Sequence, residues 1–281
     1  MILQPSISVD NNLLLLEDKK SHKSFLILGK NYVCYALTDQ SSKKVFSIRY
    51  YYSANQVIGK SDFESIFNDM NVSRVSTFYV AIDTLKSTLF PTSMFDESFL
   101  HQYLENLCEV DQEEVIMKQN LVKEITNIFA IKKSTQNFLI SKLENVEFFD
   151  SHASLLAIYQ AHIILEHEAS IFISCKDESF AISAYQKNDL VLHQVYEYNH
   201  VNDILYHATH LMEAKGWNIN KLGIHLHGES TMTEHAFHVL QNYFPVVKYC
   251  IRISDIQYPE TLSDQPAHYF FNLFALVKCV S

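Results

Sequence analysis

Glycine is scarce in this chain: 5 of 281 residues, about 2% where an ordinary protein has about 7%. The shortage excludes most backbone cradles for phosphate, because those need N–H groups that approach an anion with no Cβ in the way. No G-x-G, Gly-Gly or G-K-[ST] occurs, so neither a P-loop nor a dinucleotide-binding fingerprint is present. Cysteine is equally unhelpful as a scaffold. Cys34, Cys108, Cys175, Cys250 and Cys279 are odd in number and contain no C-x-x-C, which excludes a disulfide framework or a zinc ribbon and fits a reducing cytoplasm. No apolar run reaches the roughly 18 residues of a membrane-spanning helix, so direct membrane insertion is not expected. The opening "MILQPSISVDNNLLLLEDKK" lacks a basic start, and Glu17-Asp18 close off its leucines, so it does not read as a signal peptide. A basic stripe is missing as well. With 22 basic against 32 acidic residues the net charge is -10, and Lys19-Lys20, Lys43-Lys44 and Lys132-Lys133 lie in separate polar connections. Such a surface repels a phosphate backbone and gives no footing to a nucleic-acid partner.

What the chain does have is apolar material, 48% of its residues, enough for two cores of ordinary size. From Ser24, alternating segments predict a three-strand meander: "SFLIL", "YVCYALTD" and "KVFSIRYYYS". A short helix "SDFESIFNDM" follows, with Ser61 as N-cap and Glu64 in capping-box spacing. Then come the strand "TFYVAID", the segment "STLFPTSMFDESFL", a helix from about Asp96 to Leu107, strands at "EEVIMK" and "NIFAIK", a helix from Ser134 to Leu143, and the strand "VEFFD". In the connector, Pro91 stops the strand and Asp96 is placed to cap a helix with Leu100, Tyr103 and Leu104 inward. The helix "SHASLLAIYQAHIILEH" bridges to the second half.

From Ala169 the order begins again: "SIFISC", "ESFAISAYQ" and "DLVLHQVYEYN" form another meander. A helix from Val201 to Lys215, a strand from Leu222 to His227, a helix from Thr231 to Tyr243, the strand "VVKYCI" and a helix after Pro266 complete it. A repeat of about 140 residues is a duplicated domain, since solenoid units are far shorter. The expected division is residues 1–150, a bridging helix at 151–167, and residues 168–281, whose last helix returns to the junction.

Three antiparallel strands followed by alternating helices and strands, given twice, resemble the duplicated ribonuclease-H-like unit of the actin-like ATPase superfamily. More narrowly, "TLFPTSMFDESFL" resembles the matching stretch of a bacterial family known mainly from Bacteroidetes, domain of unknown function 3822, placed among the actin-like ATPases. A more distant similarity is to the actin-like cytoplasmic components of type IV pilus and type II secretion machines. The resemblance implies an α/β fold of two lobes with mixed sheets and a cleft between them.

Active members of that superfamily hold Mg-ATP with two D-x-G hairpins and a Gly-Gly turn, the aspartates serving the metal. Here the first hairpin reads Ile27-Leu28-Gly29, with an apolar residue for the acid. The second reads Ser174-Cys175-Lys176 followed by Asp177-Glu178-Ser179, with neither glycine nor acid in register. In "GIHLHGES", Gly228 stands between a strand and a helix whose start carries Thr231 and Glu234, and such a helix N-terminus accepts anions. The candidate cleft positions implied by the resemblance are therefore Gly29, Lys30, Asp177, Ser179, Gly228, Glu229 and Ser230.

His225 and His227 share a strand face and His235 and His238 follow on a helix, a possible metal set set against ordinary hydrogen-bonded or solvated histidines. Cys175 sits in an apolar strand and reads as a core thiol. Glu113-Glu114 and Asp177-Glu178 read as solvated turn acids. "HYFFNLFALVKCV" is apolar on nearly every side and reads as a buried helix. Tyr50 to Tyr52 place bulk on both faces of their strand. The preferred reading is a cytoplasmic binding or scaffolding protein with a degenerate nucleotide site, no cofactor, no catalytic residue, no metal and a protein partner. The alternatives are a divergent Mg-ATP-binding ATPase or kinase around Gly29, Asp177 and Gly228, and a metal module on the His225 to His238 set.

Overall fold

The computed structural model describes residues 4–10, 22–53, 57–70, 75, 77–122, 124–162, 167–229 and 231–280. It divides into two compact units: Met1–Ala157 with Ser254–Asp264 and Asn272–Ser281, and Ile158–Ile253 with Gln265–Phe271. The division is not one cut in the sequence. It falls inside the helix that begins at Ser151, and it assigns most of the C-terminal helix to the first unit.

In the first unit the strands are β1 (Ile7–Asp10), β2 (His22–Leu28), β3 (Tyr32–Asp39) and β4 (Val45–Tyr52), then helix α1 (Lys60–Asp69) and β5 (Phe78–Ile82). Next come β6 (Ser87–Pro91), α2 (Leu100–Glu105), β7 (Glu114–Val122), β8 (Ile125–Lys132), α3 (Lys133–Lys142), β9 (Val146–Asp150) and α4 (Ser151–His162). The main sheet is six-stranded in the order β1-β4-β3-β2-β5-β9, and β6-β8-β7 form a separate three-stranded sheet. The parallel strand β5 is buried along its whole length, as expected for a strand covered on both faces. On one face Leu26, Tyr35, Tyr51, Phe78 and Val80 pack with Phe63, Ile66 and Phe67 of α1 and Leu139 of α3. Tyr51 is fully buried and donates its hydroxyl to Asp69, while Tyr50 and Tyr52 stack on the opposite face 6.4 Å apart.

Three local expectations need correction. The cap of α1 is Gly59, not Ser61, and the returning carboxylate is Asp62, which accepts from the Gly59 N–H at 2.9 Å. The helix starts early because Asp62, three residues beyond Gly59, reaches back where Glu64 cannot. The helix expected from Asp96 is shorter: Asp96 accepts from Ser98 N–H at 2.9 Å and caps a 3-10 turn at Glu97–Phe99, after which α2 runs only to Glu105. Leu104 is buried, and Leu100 and Tyr103 pack beside it. Glu114 is not a solvated turn acid: it lies in β7, its side chain is only 9% exposed, and it pairs with Lys86 at 2.7 Å. β1 had no counterpart in the sequence reading, although "ISVD" alternates; four residues are too short a run to register as a strand.

The second unit contains β10 (Ala169–Cys175), β11 (Ser179–Gln186), β12 (Asp189–Glu197), α5 (Val201–Lys215), β13 (Leu222–His227), α6 (Thr231–Leu240) and β14 (Val247–Tyr249). Its sheet order, β12-β11-β10-β13-β14, repeats β4-β3-β2-β5-β9 of the first. α5 starts and stops where its sequence dictates: Asp203 accepts from the His200 N–H at 3.1 Å, and Gly216 ends it at φ 64, the left-handed geometry a C-terminal glycine supplies. Ile204, Ala208 and Leu211 of α5 and Ala236 and Leu240 of α6 cover one sheet face. On the other face Tyr159 stacks on Phe172 at 4.2 Å and hydrogen-bonds His227. The last helix, α7 (Phe271–Cys279), is buried from Leu273 to Val277, as its apolar run requires.

Candidate functional site

Each unit carries one hairpin turn where the superfamily resemblance places phosphate. In the first unit Leu28 pairs with Ile82, which sets the next residues, Gly29 and Asp83, level with one another. The turn closes by the Gly29 N–H donating to the Tyr32 carbonyl at 3.0 Å, and Lys30 and Asn31 carbonyls accept from Ile58 and Ser53 N–H groups. The side chain of Tyr32 then lies across Gly29. A Cβ on Gly29 would sit 2.1 Å from the Tyr32 ring, and the Tyr32 hydroxyl donates to Asp83 Oδ2 at 2.6 Å. The other Asp83 oxygen accepts from Ser151 Oγ at 3.3 Å and lies 3.5 Å from His152 Nε2. Gly29 thus has a reason to be glycine that involves no nucleotide: an aromatic ring occupies its side-chain space. Asp83 is thus anchored within its own unit, with Tyr32 and Ser151 each donating to one of its oxygens.

In the second unit Ser174 pairs with His227, so Cys175 is level with Gly228 and Lys176 with Glu229. This turn closes the same way, Lys176 N–H donating to Ser179 carbonyl at 2.9 Å. Lysine stands where the first unit has glycine, and serine where it has Tyr32. Asp177 and Glu178 are exposed at the tip. Gly228 has φ +133, and a Cβ there would meet the Cys175 carbonyl oxygen at 2.1 Å, so only glycine fits between the strand ends. Its carbonyl accepts from Thr233 Oγ1 at 3.3 Å, and Glu229 Oε1 accepts from the Phe270 N–H at 2.7 Å. Phe270, with φ 62, is held in a left-handed conformation at this contact. Ser230 lies outside the described residues. Of the candidate positions, Gly29 and Lys30 belong to the first unit, and Asp177, Ser179, Gly228 and Glu229 to the second.

Sequence reasoning missed Tyr32, Asp83, Asp150 and His152. Asp150 is fully buried at the end of β9. It accepts from Ser87 Oγ, from Asn127 Nδ2 at 2.9 Å and from the His152 N–H at 3.0 Å, and so ties β6 and β8 to the start of α4. The available signal was that "TFYVAID" and "VEFFD" both end in aspartate, at the carboxyl ends of adjacent parallel strands where sites of α/β sheets form.

The histidine set does not assemble. His225 and His227 are buried in β13, whereas His235 and His238 are exposed on α6, and no group of three or more metal-ligating side chains occurs among the described residues. His225 stacks on Phe172 at 4.9 Å, and burial, with His167 and Lys248 nearby, lowers it to about 4. Burial pushes the Cys175 thiol up to about 12, which disqualifies it as a nucleophile near neutral pH. Among the described residues no helix is long and apolar enough to cross a membrane.

The model of a family described as protein of unknown function, DUF3822, matches residues 15–247. A Bacteroides thetaiotaomicron protein with actin-like ATPase fold and unknown function is similar over 93% of this chain and 97% of its own, with TM-score 0.78 and 17% identity. A chain of the PilM–PilN type IV pilus biogenesis complex is similar over 92% and 96%, with TM-score 0.63 and 11% identity. The cytoplasmic domain of EpsL, from the type II secretion system of Vibrio cholerae, matches over 73% and 81% with TM-score 0.43 and 11% identity. Among curated proteins none matches the chain. The twice-given strand meander and its helices make an actin-like ATPase fold, and the chain belongs to the DUF3822 family.

Proposed function

We propose that this protein is a non-catalytic, cytoplasmic binding or scaffolding component whose nucleotide hairpins have become structural. The observation that carries this reading is the Tyr32 ring in the side-chain space of Gly29, with its hydroxyl committed to Asp83. An ATPase turn keeps its glycine so that phosphate can reach the backbone, and its acid so that a metal can be held. Here the glycine accommodates an aromatic ring and the nearby acid anchors it. The second turn supports the same reading, since Lys176 replaces glycine and Gly228 is consumed by contact with Cys175. The PilM–PilN complex, in which a chain of this fold is part of a protein assembly, supports a protein partner. A net charge of -10 argues against nucleic acid.

Calorimetric titration with Mg-ATP, combined with a phosphate-release assay, tests the reading. The expected result is neither heat of tight binding nor release. Tight binding with turnover would establish the divergent ATPase instead.

A further inference from the structure

The outer strand of each meander is treated differently in the two units. In the first, β4 is not an edge: β1 pairs with it antiparallel, from Ile7 opposite Tyr50 to Asp10 opposite Ser47. The added strand is matched in charge, because Asp10 meets Arg49 at 3.3 Å and accepts from Ser47 Oγ at 2.6 Å. In the second unit the equivalent strand, β12, is the edge of its sheet, and among the described residues no strand pairs with its outer side. It is nine residues long, and all but three of its side chains are partly buried. The shift in pairing between Ala184 and Tyr185 makes Val191 an extra residue, which leaves Leu192–Glu197 as the regular stretch. The Val195 carbonyl accepts from the side-chain amide of its neighbour Gln194 at 3.2 Å, a side chain standing in for a strand.

Long edges are blunted by lysine, by proline or by a bulge. β12, "DLVLHQVYE", has the bulge at Val191 but neither lysine nor proline, and no lysine or arginine occurs between Lys187 and Lys215. Its ends are acidic, Asp189 and Glu197. The first unit's arrangement, with the signs reversed, calls for an added strand that carries base.

We propose that β12 is a docking edge for an extended segment of a partner protein, basic at both ends of a short alternating apolar stretch, which adds to this sheet as β1 adds to β4. The backbone ladder supplies the affinity and the flanking charges the choice of partner and register. The inference deepens the binding role proposed above by naming the class of partner. It fails separately, because nucleotide titration does not involve β12.

The test uses the whole chain and three short synthetic peptides: one with lysines flanking alternating valine and threonine, one with glutamates in place of the lysines, and the lysine peptide with alternate amides N-methylated. Fluorescence anisotropy is expected to show that the lysine peptide binds and that N-methylation, which keeps the charge but blocks the ladder, weakens it at least about tenfold. Hydrogen exchange is expected to slow at β12 amides and not at β4. The variant D189K/E197K, two exposed positions, is expected to invert the preference towards the glutamate peptide by about tenfold. Equal binding of the methylated and unmethylated peptides, protection elsewhere than β12, or no binding of any peptide would overturn the proposal. So would protection of β12 that grows with protein concentration alone, since the occupant would then be a second copy.

Discussion

The two hairpin turns close with the same hydrogen bond yet carry opposite solutions. Gly29 goes with Tyr32 in one, Lys176 with Ser179 in the other. A large side chain at the far corner demands none at the near one; a small side chain there releases the near position for lysine. The difference teaches that a glycine retained in a phosphate-type turn is not by itself a trace of phosphate chemistry. The pairs one layer deeper repeat the lesson. Phe25 stacks on Tyr79 at 5.1 Å in the first unit and Phe172 on His225 at 4.9 Å in the second, at equivalent register. The geometry is shared, but only the second pair titrates in the acid range.

Gly228→Ala breaks this comparison most severely. Its φ of +133 and the Cys175 carbonyl at 2.1 Å combine strain with a backbone clash that no side-chain movement relieves. A loss of about 4 kcal/mol or more in denaturant unfolding is expected, enough to abolish folding of a marginal unit.

A smaller effect is expected at His225. Burial holds the folded ring neutral, with its value lowered to about 4, while the unfolded chain takes up a proton from about pH 6.5 downward. The unfolded state therefore binds more protons between those limits. Stability should fall by about 3 kcal/mol as pH drops through that window and flatten below it. His225→Tyr, which copies the first unit's Tyr79, should remove this slope from a series of unfolding curves. An unchanged slope would mean that other groups control acid sensitivity.

The smallest effect sharpens the comparison between the turns. Gly29→Ala should cost about 1–2 kcal/mol, since the Tyr32 ring must swing off Asp83. The double change Gly29→Lys with Tyr32→Ser, which writes the second turn into the first, should recover most of that loss. If the double variant is no more stable than the sum of its parts, the coupling of ring and glycine is wrong.

Much of the fold was legible because its signals are local. Alternation marked β2, β3 and β10, and α5 spans Val201–Lys215 as expected. Where a cap competed with its neighbour, as Gly59 with Ser61, the choice depended on which carboxylate could reach back, and the reading was off by two residues. The candidate site was legible only in part. Gly29, Gly228 and Glu229 stood out by residue type, whereas Tyr32 and Asp83 looked like ordinary members of apolar strands.

By itself the sequence determined the order of elements, its repetition in two halves and the lack of glycine for a phosphate cradle, because strand and helix periods and turn residues act over a few positions. Tertiary structure decided what each glycine is for. Gly29 and Asp83 lie 54 positions apart in sequence and become neighbours only through the parallel register of β2 and β5, and Gly228 reaches the Cys175 carbonyl only through that of β10 and β13. Long-range register is set by burying whole sheet faces, and no stretch of a few residues encodes it.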